Sequence, residues 1–178
     1  TNPTYEGLST DLAALVKAVR QFNQDIIIYI DEAWGAHFPF SKAMPTSAMH
    51  AGADICVQST HKQGSGLQQT SMIHWRDGRI DPLWLKDSYK SLITTSPSFH
   101  LLASLDGARY FMQHEGAAAI DRLLELATLF RQRVNQSPIL KGKVTAIEPA
   151  QIVGRYASQL DATKILVHLE GYSGMDLA

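Results

Sequence analysis

The sequence predicts an α/β layered fold built on a mostly parallel sheet. Two observations carry that expectation. "DIIIYI" and "DICVQS" are short, continuous apolar runs rich in β-branched residues, the pattern of strands covered on both faces. Stretches with apolar residues at helical spacing lie before, between and after the strand-like runs, as layered α/β domains require. With 178 residues, 45% of them hydrophobic, the chain is long enough for one domain with a substantial core.

In chain order, Thr10 is an N-cap candidate, and Leu12, Leu15, Val16 and Val19 follow at helical spacing with Phe22 extending the stripe. An amphipathic helix is expected to about Gln21. "DIIIYI" is the first strand and stops at Asp31. A short helix is expected between Pro45 and Gly52, then strands at "DICVQS" and "QTSMIHW", with "RDGR" as a turn. From Pro97 onward, "SFHLLASLDGARYFMQ" and "AAAIDRLLELATLFRQRVNQ" read as long helices separated by Gly116, and "KILVHLEG" as a late strand. A domain boundary is expected after residue 137, with 138–178 opening a following, truncated α/β segment. The absence of an initial Met and of a terminal cap suggests a fragment of a longer protein.

Charge and cysteine content narrow the function classes. Sixteen basic and seventeen acidic residues give a net charge of -1, with no basic stripe able to neutralise a row of phosphates, so nucleic-acid binding is disfavoured. The single cysteine, Cys56, cannot form an internal disulfide, and a reduced cytoplasm fits it. No apolar run is long enough to span a bilayer and the first residues lack signal-peptide character, so no membrane partner is expected. The histidines show no metal-ligand spacing, and no metal site is expected.

In open parallel sheets ligands bind beyond the carboxyl ends of the strands. Asp31 ends one expected strand, and Ser59, Thr60, His61 and Lys62 follow the next, so an acid, a lysine and small polar groups would share one rim. Each residue also has an ordinary reading: a turn acid, a polar turn, a satisfied histidine, a solvated lysine. Spacing alone leaves both readings open.

The combination "DEAWGAHFPF", "GADICVQSTHK", "QTSMIH" and "SPSFHLLASLDGAR", with "NPTYEG" ahead of it, resembles the large domain of the bacterial Orn/Lys/Arg decarboxylases over about residues 1–113. That resemblance implies a pyridoxal-phosphate enzyme of type I fold, a three-layer sandwich around a mostly parallel sheet. It implies decarboxylation of arginine, lysine or ornithine to the amine, with a place in polyamine biosynthesis. Aminotransfer on the same cofactor, or a non-catalytic assembly module, are the alternatives.

Carried onto this sequence, the resemblance makes Lys62 the amine that holds the cofactor aldehyde as a Schiff base, and Asp31 the carboxylate that keeps the ring nitrogen protonated. It makes Ala33 the small residue under the ring, and Ser59 and His61 phosphate donors. Thr95 and Ser96 would reach the phosphate of a neighbouring subunit's cofactor, which implies a homodimer or larger assembly. Upstream parts of the cofactor cup lie outside the sequence, so the isolated chain is expected to be inactive. Two departures stand out: Trp34, where relatives often carry histidine, and "QGSG" after Lys62, expected to loosen that segment. His37 is ambiguous between site and packing.

Overall fold

The structure, a computed structural model, describes residues 1–176. After the short strand β1 (Leu8–Ser9), helix α1 runs Leu12–Phe22 and is capped by Asp11, whose carboxylate accepts from the Ala14 N–H. The cap is therefore Asp11 rather than Thr10: its side chain sits three residues before an orphan helix donor. Leu12 and Val16 are buried while Phe22 is 86% exposed, so the buried stripe ends before Phe22.

Strand β2 is only Tyr29–Asp31, and it pairs parallel with β3 (Ile55–Gln58), which pairs antiparallel with β4 (Met72–Trp75). The described sheet thus has order β2-β3-β4 with one parallel and one antiparallel pair. "DIIIYI" is not covered on both faces here: Ile27 is 49% and Tyr29 56% exposed, because β2 has no second neighbour among the described residues. Its buried member is Ile28, which joins Leu12, Val16, Ala48, Ala53 and Cys56 in one core cluster under α1 and the short helix α2 (Ala48–Ala51). Each large aliphatic side chain buried there contributes about 1.5–3 kcal/mol.

Asp54, 1% exposed, fastens the edge of this core. Its carboxylate accepts from the Ile28 N–H at 2.7 Å, pairs with Arg20 at 2.5 Å and with Arg79 at 3.2 Å. Burial alone would raise its pKa, but the Ile28 N–H and the two guanidiniums outweigh burial and lower it.

Helix α3 (Thr60–Gln63) follows β3 directly. Helix α4 (Pro82–Leu92), which was not among the expected elements, starts at Asp81 as N-cap with Pro82 in its first turn. Its Leu85 and Tyr89 border a cavity shared with Ile73 and Trp75 of β4. Helices α5 (Phe99–His114) and α6 (Gly116–Gln136) break at Glu115, with Gly116 opening the second helix. Phe38, Met44, Met112 and Ile120 form a second core cluster between α5, α6 and the loop after β2. Beyond α6, β5 (Val144–Ala146) pairs antiparallel with β7 (Val167–Leu169), and β6 (Gln159–Leu160) returns to pair with β1. That return carries the turn 161–164 back to the first residues of the chain.

Candidate active site

The parallel register aligns Asp31 with Val57, so the carboxyl ends of β2 and β3 open on one rim. Asp31 is half-buried; one carboxylate oxygen accepts from the Ala33 N–H at 3.0 Å, and its carbonyl accepts from the Asn2 N–H at 2.8 Å. The turn after β2 is thereby fixed, with Ala33 half-buried beside it and the second Asp31 oxygen without a hydrogen bond among the described residues. Ser59 is the N-cap of α3, yet its hydroxyl makes no capping bond. Lys62 lies in α3 with its ammonium 4.5 Å from the Trp34 ring centroid, a cation–π distance. Trp34 is held edge-on by Tyr5, centroids 4.9 Å apart at 87°. The "NPTYEG", "DEAW" and "STHK" segments therefore meet.

His61 Nδ1 lies 2.8 Å from the Thr70 carbonyl oxygen, to which it donates. A neutral His61 then presents an acceptor at Nε2, and only the imidazolium would donate to an anion there. Thr95 and Ser96 are exposed in the bend between α4 and α5. The N-cap of α5 is Ser98, so Ser96 does not cap its own helix and Pro97 stands ahead of the first turn.

One carboxylate backs the rim from inside. Glu32 has no solvent exposure; it accepts from the Ala48 N–H at 2.7 Å and from Gln58 Nε2 at 2.6 Å, while Gln58 Oε1 lies 3.1 Å from His74 Nε2. Burial pushes its pKa up to about 7 against those two donors. A cavity of about 400 Å³ lies next to this relay, lined in part by Gln58, Thr60, His74 and Met112; Asp31, Trp34 and Lys62 do not line it.

Sequence reasoning missed the turn Asp161–Lys164. Asp161 is fully buried, accepts from the Thr163 N–H and hydroxyl at 3.1 and 2.5 Å, and faces His37 Nε2 at 3.1 Å. The approach suits an ion pair, although the ring is poorly aligned for a hydrogen bond. Burial would raise the Asp161 pKa, but His37 and Thr163 outweigh it and lower it. His37 is thus a packed residue that ties the loop after β2 to this turn. Lys164 places its ammonium 4.0 Å from the Trp34 ring centroid. The only local signal was a cluster of turn-forming residues, "DATK"; its position beside Trp34 is a long-range fact.

The model of the family "Orn/Lys/Arg decarboxylase, major domain" matches residues 1–172. The chain belongs to the Orn/Lys/Arg decarboxylase family. It is 36% identical over 178 residues to an arginine decarboxylase of Bacillus subtilis, covering 99% of this chain and 35% of that protein. It is 32% identical over 143 residues to the lysine decarboxylase LdcA of Pseudomonas aeruginosa, covering 74% of this chain and 19% of that protein. A solved structure of lysine decarboxylase A from Pseudomonas aeruginosa superposes with a TM-score of 0.64 at 28% identity, covering 75% of this chain and 19% of that one. The chain therefore spans about a third of the length of the arginine decarboxylase it matches.

In this member of the family the segment after Lys62 is tightly packed rather than loose. The Gly64 and Gly66 N–H groups both donate to the Thr60 carbonyl, at 2.9 and 3.2 Å. A Cβ on Gly66 would fall 2.3 Å from Thr70 Oγ1, so close approach, and not freedom, is what requires glycine there.

Proposed function

We propose that the protein to which this chain contributes is a cytoplasmic, pyridoxal-phosphate-dependent decarboxylase that converts arginine, lysine or ornithine to the corresponding amine. The observation that carries this reading is the shared rim: Lys62 and Asp31 stand at the carboxyl ends of two adjacent parallel strands, in a chain of this family. The donor set fits the cofactor. Lys62 has no ion-pair partner among the described residues, one Asp31 oxygen is free of local bonds, and the Ser59 hydroxyl is unspent on α3.

When bound, pyridoxal phosphate supplies an electron sink for the electron pair left by departing carbon dioxide. Lys62 would hold the cofactor through its amine. Asp31 keeps a proton on the ring nitrogen through direct charge pairing. Ala33 would leave room for the ring, and Ser59 and His61 would face the phosphate, His61 as a donor only in its imidazolium form. Thr95 and Ser96 would serve the neighbouring copy's cofactor, which makes a homodimer the smallest working unit. In this reading residues 1–137 are the cofactor-binding portion and 138–178 open the following α/β segment.

The test uses the full-length protein supplied with pyridoxal phosphate and each of the three amino acids, with carbon dioxide and amine measured. One of the three is expected to be decarboxylated, and Asp31→Ala is expected to lower turnover by ~100-fold or more while cofactor affinity changes far less. Unchanged turnover in Asp31→Ala, or no amine from any of the three, would overturn the reading.

A further inference from the structure

Two lysines, not one, converge on Trp34. The Lys62 ammonium lies 4.5 Å and the Lys164 ammonium 4.0 Å from the centroid of the same ring, and Lys164 also lies 5.8 Å from the Tyr5 ring. Neither ammonium has an ion-pair partner among the described residues. Two like charges held near one ring repel each other, and an anion that pairs with either relieves that repulsion.

Lys164 is there by construction. Arg131, 2% exposed, donates from Nη2 to the carbonyls of Ala162 and Lys164 at 2.8 and 2.7 Å. The Asp161 N–H donates to the Gly7 carbonyl at 2.9 Å, and His37 faces the Asp161 carboxylate from the loop that carries Trp34. The lysine stem passes so near Gly7 that a Cβ there would come within 2.9 Å of Lys164 Cγ, at a residue whose φ of +94° already favours glycine. Burial lowers the Lys164 pKa and the charge of Lys62 adds to this, while Asp161 opposes both. A turn pinned from three sides thus presents one half-buried ammonium beside the candidate cofactor lysine.

We propose that Lys164 is a substrate-binding residue whose ammonium pairs with the α-carboxylate of the incoming amino acid. The proposal rests on the decarboxylase reading. On that reading Ser59 and His61 serve the phosphate, and none of the residues assigned so far meets the substrate carboxylate. The substrate carries that carboxylate and the amine product does not. The same ammonium therefore favours entry of the amino acid and gives no hold on the product. Its contribution belongs to the ground state and fades as the carboxylate leaves, so its loss raises KM without lowering kcat.

The experiment uses full-length protein in which the cofactor has been fixed by borohydride, so that nothing turns over. Calorimetry compares arginine with agmatine, lysine with cadaverine and ornithine with putrescine, in native protein, Lys164→Met and Lys164→Arg. Methionine keeps the stem against Trp34 and removes the charge. The expected result is about a tenfold or greater loss of affinity for the amino acid in Lys164→Met, unchanged affinity for its amine, and recovery in Lys164→Arg. Equal weakening of both ligands, which a packing role would give, overturns the proposal, as does no change in either. Failure of the native protein to fix the cofactor at Lys62 overturns the decarboxylase reading itself, and the two failures are therefore told apart.

Discussion

Gln58 Nε2 donates to Glu32 Oε2 at 2.6 Å, joining the turn after β2 to the middle of the sheet without access to water. Because burial pushes the Glu32 pKa from 4.5 to about 7, the carboxyl favours the fold fully only below about pH 4.5 and loses that contribution as the pH rises through about 7. Glu32→Gln is expected to remove this slope. The amide keeps the Ala48 N–H bonded, and a flip of Gln58 restores the second bond. Native minus variant unfolding free energy should fall by on the order of 3 kcal/mol between pH 4.5 and 7.5. Parallel stability curves for the two proteins would refute the buried-carboxyl explanation.

Asp54 acts in the opposite direction. Its lowered pKa means that its stabilisation is present above an unfolded value near 3.8 and is lost as the pH falls through the folded one. Asp54→Ala strands the Ile28 N–H and two guanidiniums, and a loss of ~3–5 kcal/mol is expected from thermal or urea unfolding of the full-length protein. Its difference from native should shrink in acid. A loss below 1 kcal/mol would mean that water replaces the carboxylate.

Gly66→Ala should strain the segment behind Lys62, since the added methyl meets Thr70 Oγ1 and the Thr60 methyl. A destabilisation of about 1–3 kcal/mol is expected, partly relieved in Gly66→Ala/Thr70→Ala. Simple additivity of the two changes would show that the contact with Thr70 is not the cause.

The rim and its strands were legible in the sequence because their signals are local: β-branched runs ending in Asp31 and in "STHK", and helical spacing from Leu12 to Val19. The shortness of β2 was not legible, since it depends on which neighbour strand is present rather than on "DIIIYI" itself. Helix α4 was not expected although its signals are local: Asp81 and Pro82 open it, and Leu85 and Tyr89 recur at helical spacing towards the cavity beside β4. The turn at Asp161 escaped for another reason. Its partners, His37, Gly7 and Trp34, are more than a hundred residues away in the chain.

The shared-site proposal predicts complementation. Mixed full-length Lys62→Ala and Thr95→Ala/Ser96→Ala proteins should regain activity on subunit exchange, because one site of each mixed dimer has both an intact lysine and intact donors from its neighbour. With each parent impaired and mixed dimers formed, absence of recovery would exclude donors reaching across the interface.

The role of Lys62 is open to direct chemical test. Full-length protein is incubated with pyridoxal phosphate, reduced with borohydride, digested and mapped by mass spectrometry. A pyridoxyl label on Lys62, lost in Lys62→Ala, is the predicted result; a label on Lys164 or another lysine with Lys62 unmodified would contradict the proposed site.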